Sequence, residues 1–287
     1  MKKSHFKTHL LFYVLITMLL ALIVWTIWGN TALMANSITL SGNQIPSEFS
    51  GFRIAQVSDL HNAEFGEENS LLLNSLSESK PDMIAITGDL VDAQHTNIDA
   101  ALSFAEKAVQ IAPVYYVTGN HEASLSQYSE LKTGLEAAGV IVLEDKAIQL
   151  EHNGGIVTLM GLSDPNFTIK SNIFDEVPAM ISTKLNELME NKAGYTILLS
   201  HRPELFDTYV SCGVDLVLSG HAHGGQFRLP LIGGLVAPNQ GFFPKYDAGL
   251  YSDGGTNMVV SRGLGNSIIP LRFNNRPEIV LVELTAD

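Results

Sequence analysis

The chain holds a single cysteine, Cys212, in 287 residues, so no disulfide can close within it. It is also short of positive charge: 17 Lys and Arg stand against 30 Asp and Glu, a formal net charge of −13. Non-specific nucleic-acid binding draws on a basic footprint that neutralises phosphates, so no nucleic-acid partner is expected. Internal repeats and low-complexity tracts are missing, which excludes a solenoid. One stretch lacks charge altogether. Leu10 to Trp28 reads LLFYVLITMLLALIVWTIW. As a helix rising about 1.5 Å per residue it covers roughly 28 Å, close to the thickness of a hydrocarbon core.

Lys2, Lys3 and Lys7 precede that run, and the next Lys or Arg is Arg53. The asymmetry predicts a cytoplasmic N-terminus and an extracytoplasmic remainder. A cleaved secretory signal would be shorter and end at a small-x-small site. Near Ala32 and Ala35 the position two before is Asn30 or Leu33, so an uncleaved, single-pass anchor in the cell membrane is expected. The organisation read from the chain is therefore 1–30 as cytoplasmic tip and transmembrane anchor, 31–50 as a polar linker with a short strand at Ser37–Leu40, and 51–287 as one catalytic domain.

From Gly51 onward short apolar runs alternate with helical stretches. Residues 52–58, 83–88, 114–119, 195–200 and 214–220 read as strands buried on both faces. Asn69–Ser79, Ile98–Gln110, Ser124–Ala138 and Val177–Asn191 have helical periodicity. Lys146–Leu162 reads as a hairpin turning at His152–Gly155, and 258–262 and 278–284 as closing strands. The pattern is that of an α/β architecture. Residues 220–257, rich in glycine and poor in periodicity, read as a long functional loop.

Each apolar run leads into specific polar residues. The first leads to Asp59 and His61, the second to Asp89 and Asp92, the third to Asn120, His121 and Glu122. The fourth ends at His201 and the fifth at His221 and His223. In open α/β sheets ligands gather beyond the carboxyl ends of the strands, so these groups are expected on one rim. Imidazole, carboxylate and amide oxygen suit Zn, Mn or Fe, and the absence of cysteine argues against a structural zinc site. Seven candidate ligands suggest two divalent metal ions sharing a bridge, with Asp89 as that bridge. His5, His9, His95 and His152 have no such context and are expected to be solvated. Glu122 reads either as a group supporting the ligands from behind or as favourable charge at a helix N-terminus, and the second reading is preferred.

The order D-x-H, G-D-x-x-D, G-N-H-E, a lone His and G-H-x-H resembles the calcineurin-like metallophosphoesterase superfamily, in its bacterial membrane-anchored branch. The resemblance covers residues 51–287. It implies a four-layer α-β-β-α sandwich of two mixed sheets. It implies that Asp59, His61, Asp89 and His223 hold one metal, and that Asp89, Asn120, His201 and His221 hold the other. It implies His121 as general acid and Asp92 as the carboxylate that orients it. Ala93 stands where protein Ser/Thr phosphatases carry arginine, which speaks against a phosphoprotein substrate. Hydrolysis of a phosphoester or pyrophosphate bond by hydroxide bridging the two metals is the expected reaction.

Arg202 and Arg262 are candidate phosphate contacts. The apolar side chains of the Gly-rich segment and the anchor together suggest a lipid-linked or cell-envelope phosphoester as substrate. Two other readings carry some weight. One is a UDP-2,3-diacylglucosamine pyrophosphatase, as in part of the branch, although that substrate is cytoplasmic. The other is a non-catalytic metal-binding interaction module. No protein partner is indicated.

Overall fold

The structure is a computed structural model and describes residues 2–169, 176–266 and 269–287. Among the described residues the helices are α1 (Lys2–Thr31), α2 (Ser70–Ser79), α3 (Ile98–Ala108), α4 (Asn120–Ser124), α5 (Tyr128–Ala137), α6 (Val177–Met189) and α7 (Phe206–Ser211). The first strands are β1 (Met34–Ser41), β2 (Arg53–Val57), β3 (Met83–Thr87), β4 (Val114–Val117) and β5 (Ile141–Val142). Next come β6 (Lys146–His152), β7 (Gly155–Gly161), β8 (Thr196–Leu199) and β9 (Leu216–Ser219). The Gly-rich segment folds into the two-residue strands β10 (Arg228–Leu229), β11 (Gly233–Gly234), β12 (Val236–Ala237) and β13 (Gly241–Phe242). The chain closes with β14 (Gly249–Asp253), β15 (Thr256–Val260) and β16 (Glu278–Thr285).

Two six-stranded mixed sheets result, in the orders β1-β16-β2-β3-β4-β5 and β14-β15-β9-β8-β7-β6. In the first, β2 to β5 run parallel and β16 is antiparallel to β2. In the second, β7, β8, β9 and β15 run parallel. Strand side chains alternate between faces, so each buried strand feeds two cores. Ile54, Ala85 and Val117 point between the sheets, where they meet Leu159, Ile197, Leu199 and Leu218. Ala55, Ile84 and Tyr116 point outward under α2, α3 and α5, against Leu72, Phe104 and Leu135. Met160, Leu198 and Val217 face α6 and α7 through Ile181, Leu185 and Tyr209. The molecule is thus the four-layer α-β-β-α sandwich that the family resemblance implies, with a long apolar helix before it.

Some local expectations change. Met34–Ser41 lies inside the stretch expected to be a linker, yet it pairs along its whole length with β16. Its alternating polar pattern suits an edge strand with one solvated face. Residues 220–257, expected to be one long loop, contain two small hairpins and β14. His152, expected to be solvated, packs its ring against Phe52 and Phe49 at 4.9 and 5.4 Å.

Candidate metal centre

The carboxyl ends of β2, β3 and β4 in one sheet and of β8 and β9 in the other reach the same rim. Immediately beyond them the backbone turns sharply. Asp59, His61, Asp89, His221 and His223 all adopt φ between 47° and 66°. That left-handed region costs a non-glycine residue about 1–2 kcal/mol, and concentrated outliers of this kind mark functional sites. Two glycines make the crowding possible. A Cβ at Gly88 (φ +90) would stand 2.6 Å from His201 Nδ1 and 2.8 Å from Gly119 N. One at Gly220 would overlap the Ser58 and Asp59 side chains.

These turns aim the side chains at one another. Asp59, His61, Asp89 and His223 form one buried group of donor atoms, and Asp89, His201 and His221 a second. Asp89 Oδ2 lies 3.6 Å from His61 Nε2 and 3.2 Å from His201 Nε2. His223 Nε2 is 3.2 Å from His61 Nε2 and 3.4 Å from Asp59 Oδ1. His221 Nδ1 faces His201 Nε2 at 3.2 Å. The outer nitrogen of His201, Nδ1, sits 2.7 Å from the Thr87 carbonyl, so this ring donates outward and presents Nε2 inward. Asn120 begins α4, and its shielded Oδ1 accepts no hydrogen bond from the described residues.

Electrostatics sharpen this picture. Burial lowers His61 to about 4 despite Asp89. His221 and His223 are held well below the ordinary range by burial, then by Arg202 and by His61 respectively. Burial would also lower His201, but the carboxylates of Asp89 and Asp59 raise it to about 10. Burial raises Asp59 to about 6, opposed by His201 and reinforced by Asp89. Burial works to raise Asp89 too, but His201 overrides it and keeps that carboxyl ionised. Metal ligation needs neutral imidazoles and ionised carboxylates. The low-held imidazoles of His61, His221 and His223, the ionised Asp89 and the unpartnered Asn120 oxygen fit divalent cations; His201, raised by the same carboxylates a cation would neutralise, would give up its proton on binding.

A third group joins His61, Asp92 and His121. His121 Nδ1 accepts from the Ala93 amide at 3.0 Å, and its own amide donates to Asp89 Oδ1 at 2.8 Å. Asp92 Oδ2 is 3.7 Å from His121 Nδ1, and Oδ1 of the same residue accepts from the amides of Gln94 and His95 at 2.8 Å.

One expectation is refined and one corrected. Glu122 stands in the first turn of α4, as expected of helix N-terminal charge, but it is fully buried and also supports the ligand turns, the other role considered for it. Its carboxylate accepts from the amides of Asp89, Leu90, Val91 and Gly119 at 2.7–3.2 Å, tying the turn after β3 to the turn after β4. Arg202, considered a phosphate contact, is buried and bound bidentately by Asp164 at 2.6 and 2.9 Å. Its Nη1 lies 3.0 Å from His221 Nε2, so it supports the centre from behind. Arg262 faces Glu278 at 3.6 Å and lines a cavity with Asn36 and Leu250.

Sequence reasoning also missed Arg272. Its side chain is among the largest fully buried ones. It donates to the carbonyls of Arg262 and Gly265 and to Asn266 Oδ1, and Nη2 stands 3.4 Å from His223 Nδ1. Nothing in its local sequence signals burial, because the partners arrive from distant turns.

Residues 52–225 match the calcineurin-like phosphoesterase family. The chain is 30% identical over 251 residues to the metallophosphoesterase YkuE of Bacillus subtilis, covering 86% of this chain and 83% of that protein. It is 30% identical over 239 residues to phosphodiesterase YaeI of Escherichia coli, covering 81% and 82%. A transmembrane protein with a metallophosphoesterase domain from Danio rerio is 30% identical over 84% of this chain and 55% of its own length. Among solved structures, TT1561 of Thermus thermophilus superposes with a TM-score of 0.52 at 15% identity, over 75% of this chain and 91% of that one, a likeness of fold.

Proposed function

The chain belongs to the calcineurin-like phosphoesterase family and is a metal-dependent phosphoesterase; from that premise we propose a dinuclear centre acting on a membrane-associated phosphoester. Asp59, His61, Asp89 and His223 would hold one cation, and Asp89, Asn120, His201 and His221 would hold the other. The observation that carries this reading is the shared carboxylate: Asp89 belongs to both buried donor groups. Bound divalent cations supply charge neutralisation of the phosphoryl oxygens and bring the pKa of water near 7. Mn, Zn and Fe all suit these donors.

The protein's own groups do the rest. His121 is the proton donor to the leaving oxygen. While its Nδ1 accepts from Ala93, the ring carries its proton on Nε2. A second proton on Nδ1 would break that contact and turn to Asp92 Oδ2, 3.7 Å away, as acceptor. Asp92 is thereby placed to orient the ring from its Nδ1 side. Glu122 fixes the separation of Asp89 from His121 by holding both turns. Helix α1 is read as the membrane span. It contains one 23-residue apolar stretch, His9–Thr31, and the lysines before it favour a cytoplasmic N-terminus. The catalytic domain then works outside, beside the lipid, which favours a lipid-linked or envelope phosphoester.

The test uses the full chain in detergent, stripped of metal and titrated with Mn²⁺. Expected are two bound ions per chain, and turnover of bis-p-nitrophenyl phosphate or p-nitrophenyl phosphate that rises with the second ion. Full activity at one ion per chain would remove the dinuclear reading.

A further inference from the structure

The rim of the metal centre continues into an apolar surface that none of the described residues covers. Large exposed apolar side chains outside α1 mostly lie here: Leu231 and Ile232 at the β10–β11 turn, Phe242 and Phe243 at and beyond β13, and Ile269 and Leu271 beside them. Leu231 is fully exposed and Phe242 is 75% exposed. Others, such as Leu71 and Ile156, stand singly on other elements, which is ordinary for a soluble surface. Leu231 and Phe243 also adopt φ of 68° and 55°. Bulky residues rarely tolerate this region, so the turns hold apolar groups outward at a conformational cost.

Backbone contacts join these pieces. The Arg228 amide donates to the Phe273 carbonyl, the Gln226 side chain to the carbonyls of Ile269 and Leu271, and the Phe243 amide to the Leu235 carbonyl. The same surface abuts the end of α1. Asn30 Nδ2 donates to the Arg272 carbonyl at 2.8 Å, and its Oδ1 accepts from the Arg272 amide at 2.7 Å. Arg276 lies over the Trp28 ring at 4.6 Å and donates to the carbonyls of Ala32 and Leu33. An apolar helix of this length, with tryptophans near its end, sets that end at the lipid–water interface. Leu271 is the residue next to Arg272, so the apolar surface starts at the same level. Lys245, two residues beyond Phe243, pairs with Asp207 at 3.4 Å, so the edge of this surface carries no uncompensated charge.

We propose that the β10–β11 and β12–β13 turns, with residues 269–271, form a docking surface for the bilayer into which α1 inserts. The apolar turns dip into the interfacial zone. Because Arg272 touches both Asn30 and His223, docking fixes the mouth of the metal centre against the leaflet. A phosphoester with acyl chains then reaches it by lateral diffusion. The inference rests on α1 as a membrane span, and its test separates the two ideas.

The full chain carrying Cys212→Ser receives single cysteines, Ile232→Cys, Phe242→Cys, Leu71→Cys or Val24→Cys, each labelled with the fluorophore NBD. Each protein is reconstituted into phosphatidylcholine–phosphatidylglycerol vesicles, and quenching by nitroxide-labelled lipid is measured. Quenching at 24, 232 and 242 several-fold stronger than at 71 is the expected result. Quenching at 24, with 232 and 242 no stronger than 71, would overturn the docking surface and leave the span intact. An absent signal at 24 would overturn the span, and the docking surface with it. Blue-shifted but unquenched probes at 232 and 242 would mean burial against protein, which also rejects the bilayer as occupant.

Discussion

The two sheets bring different chemistry to the shared rim. The first supplies Asp59, His61, Asp89 and Asn120, mostly oxygen donors. The second supplies His201, His221 and His223, imidazoles only. Their supports differ in sign as well. On the oxygen side the turns are held by a buried carboxylate, Glu122, which four backbone amides satisfy and which burial raises to about 7, with Asp89 adding to the rise. On the imidazole side the supports are two buried arginines, Arg202 behind His221 and Arg272 behind His223. A cation beside an imidazole disfavours its protonation. Burial does most to keep those rings in the form that can bind a metal, and Arg202 beside His221 and Arg272 beside His223 add to it, while Glu122 acts on geometry. One half is held by a buried carboxylate that ties its turns, the other by burial with buried cations behind two of its rings.

Asp89 joins the halves, so its loss should be the largest effect. Asp89→Asn keeps the shape but removes the negative charge both groups share. Loss of more than about 10³-fold in kcat/KM is expected, the scale of a lost electrostatic stabiliser, with fewer than two bound metals by elemental analysis. Retention of both metals and of activity would break the idea of a joined centre. His121→Ala tests the proton-donor role proposed for the oxygen side. A fall in kcat of about 10²–10⁴-fold is expected with metal content unchanged; loss of metal instead would move His121 out of the role given to it. Glu122→Gln asks whether that side is tuned by position. The amide keeps one acceptor but turns a donor toward two backbone N–H groups. A loss of about 3 kcal/mol is expected from two charge-assisted bonds, or about 6–12 °C in Tm. Metal affinity should change little; a collapse in affinity with an unchanged Tm would contradict the assignment.

The two halves also differ in how far the sequence reveals them. Apolar runs ending in Asp, Asn or His are legible because strand periodicity and abrupt polarity are local properties. Ala55 to Ser58 and Val214 to Ser219 announce buried strands, and the residues after them announce a rim. The α/β class is read from alternating strands and helices, and the four layers only from the family resemblance. The supports are not legible, because each depends on partners that only folding brings close. Glu122 reads as helix-end charge since its four amides come from two separate turns. Arg202 reads as a phosphate contact since Asp164 lies 38 residues away. The hairpins of 226–243 are hidden for a different reason: two-residue strands carry too little periodicity to read.

Arg272→Met is expected to have the smallest effect of these, and it probes the imidazole side. Methionine fills comparable length and takes away the cation near His223. If that cation mattered only as charge, its removal would ease protonation of His223, and Arg272→Lys would restore the wild-type state. The fork geometry argues for more. Arg272 also donates to Arg262, Gly265 and Asn266, so it fixes the turn on which Asp59 packs through Gly263 and Gly265. Lysine cannot reproduce those bonds. Partners that orient a ligand are worth about 10–100-fold in metal affinity. The expected outcome is therefore a loss of that size in Mn²⁺ binding by calorimetry for Arg272→Met, only partly recovered by Arg272→Lys. Full recovery by lysine would show that charge alone operates on this side, making the contrast between the halves sharper still.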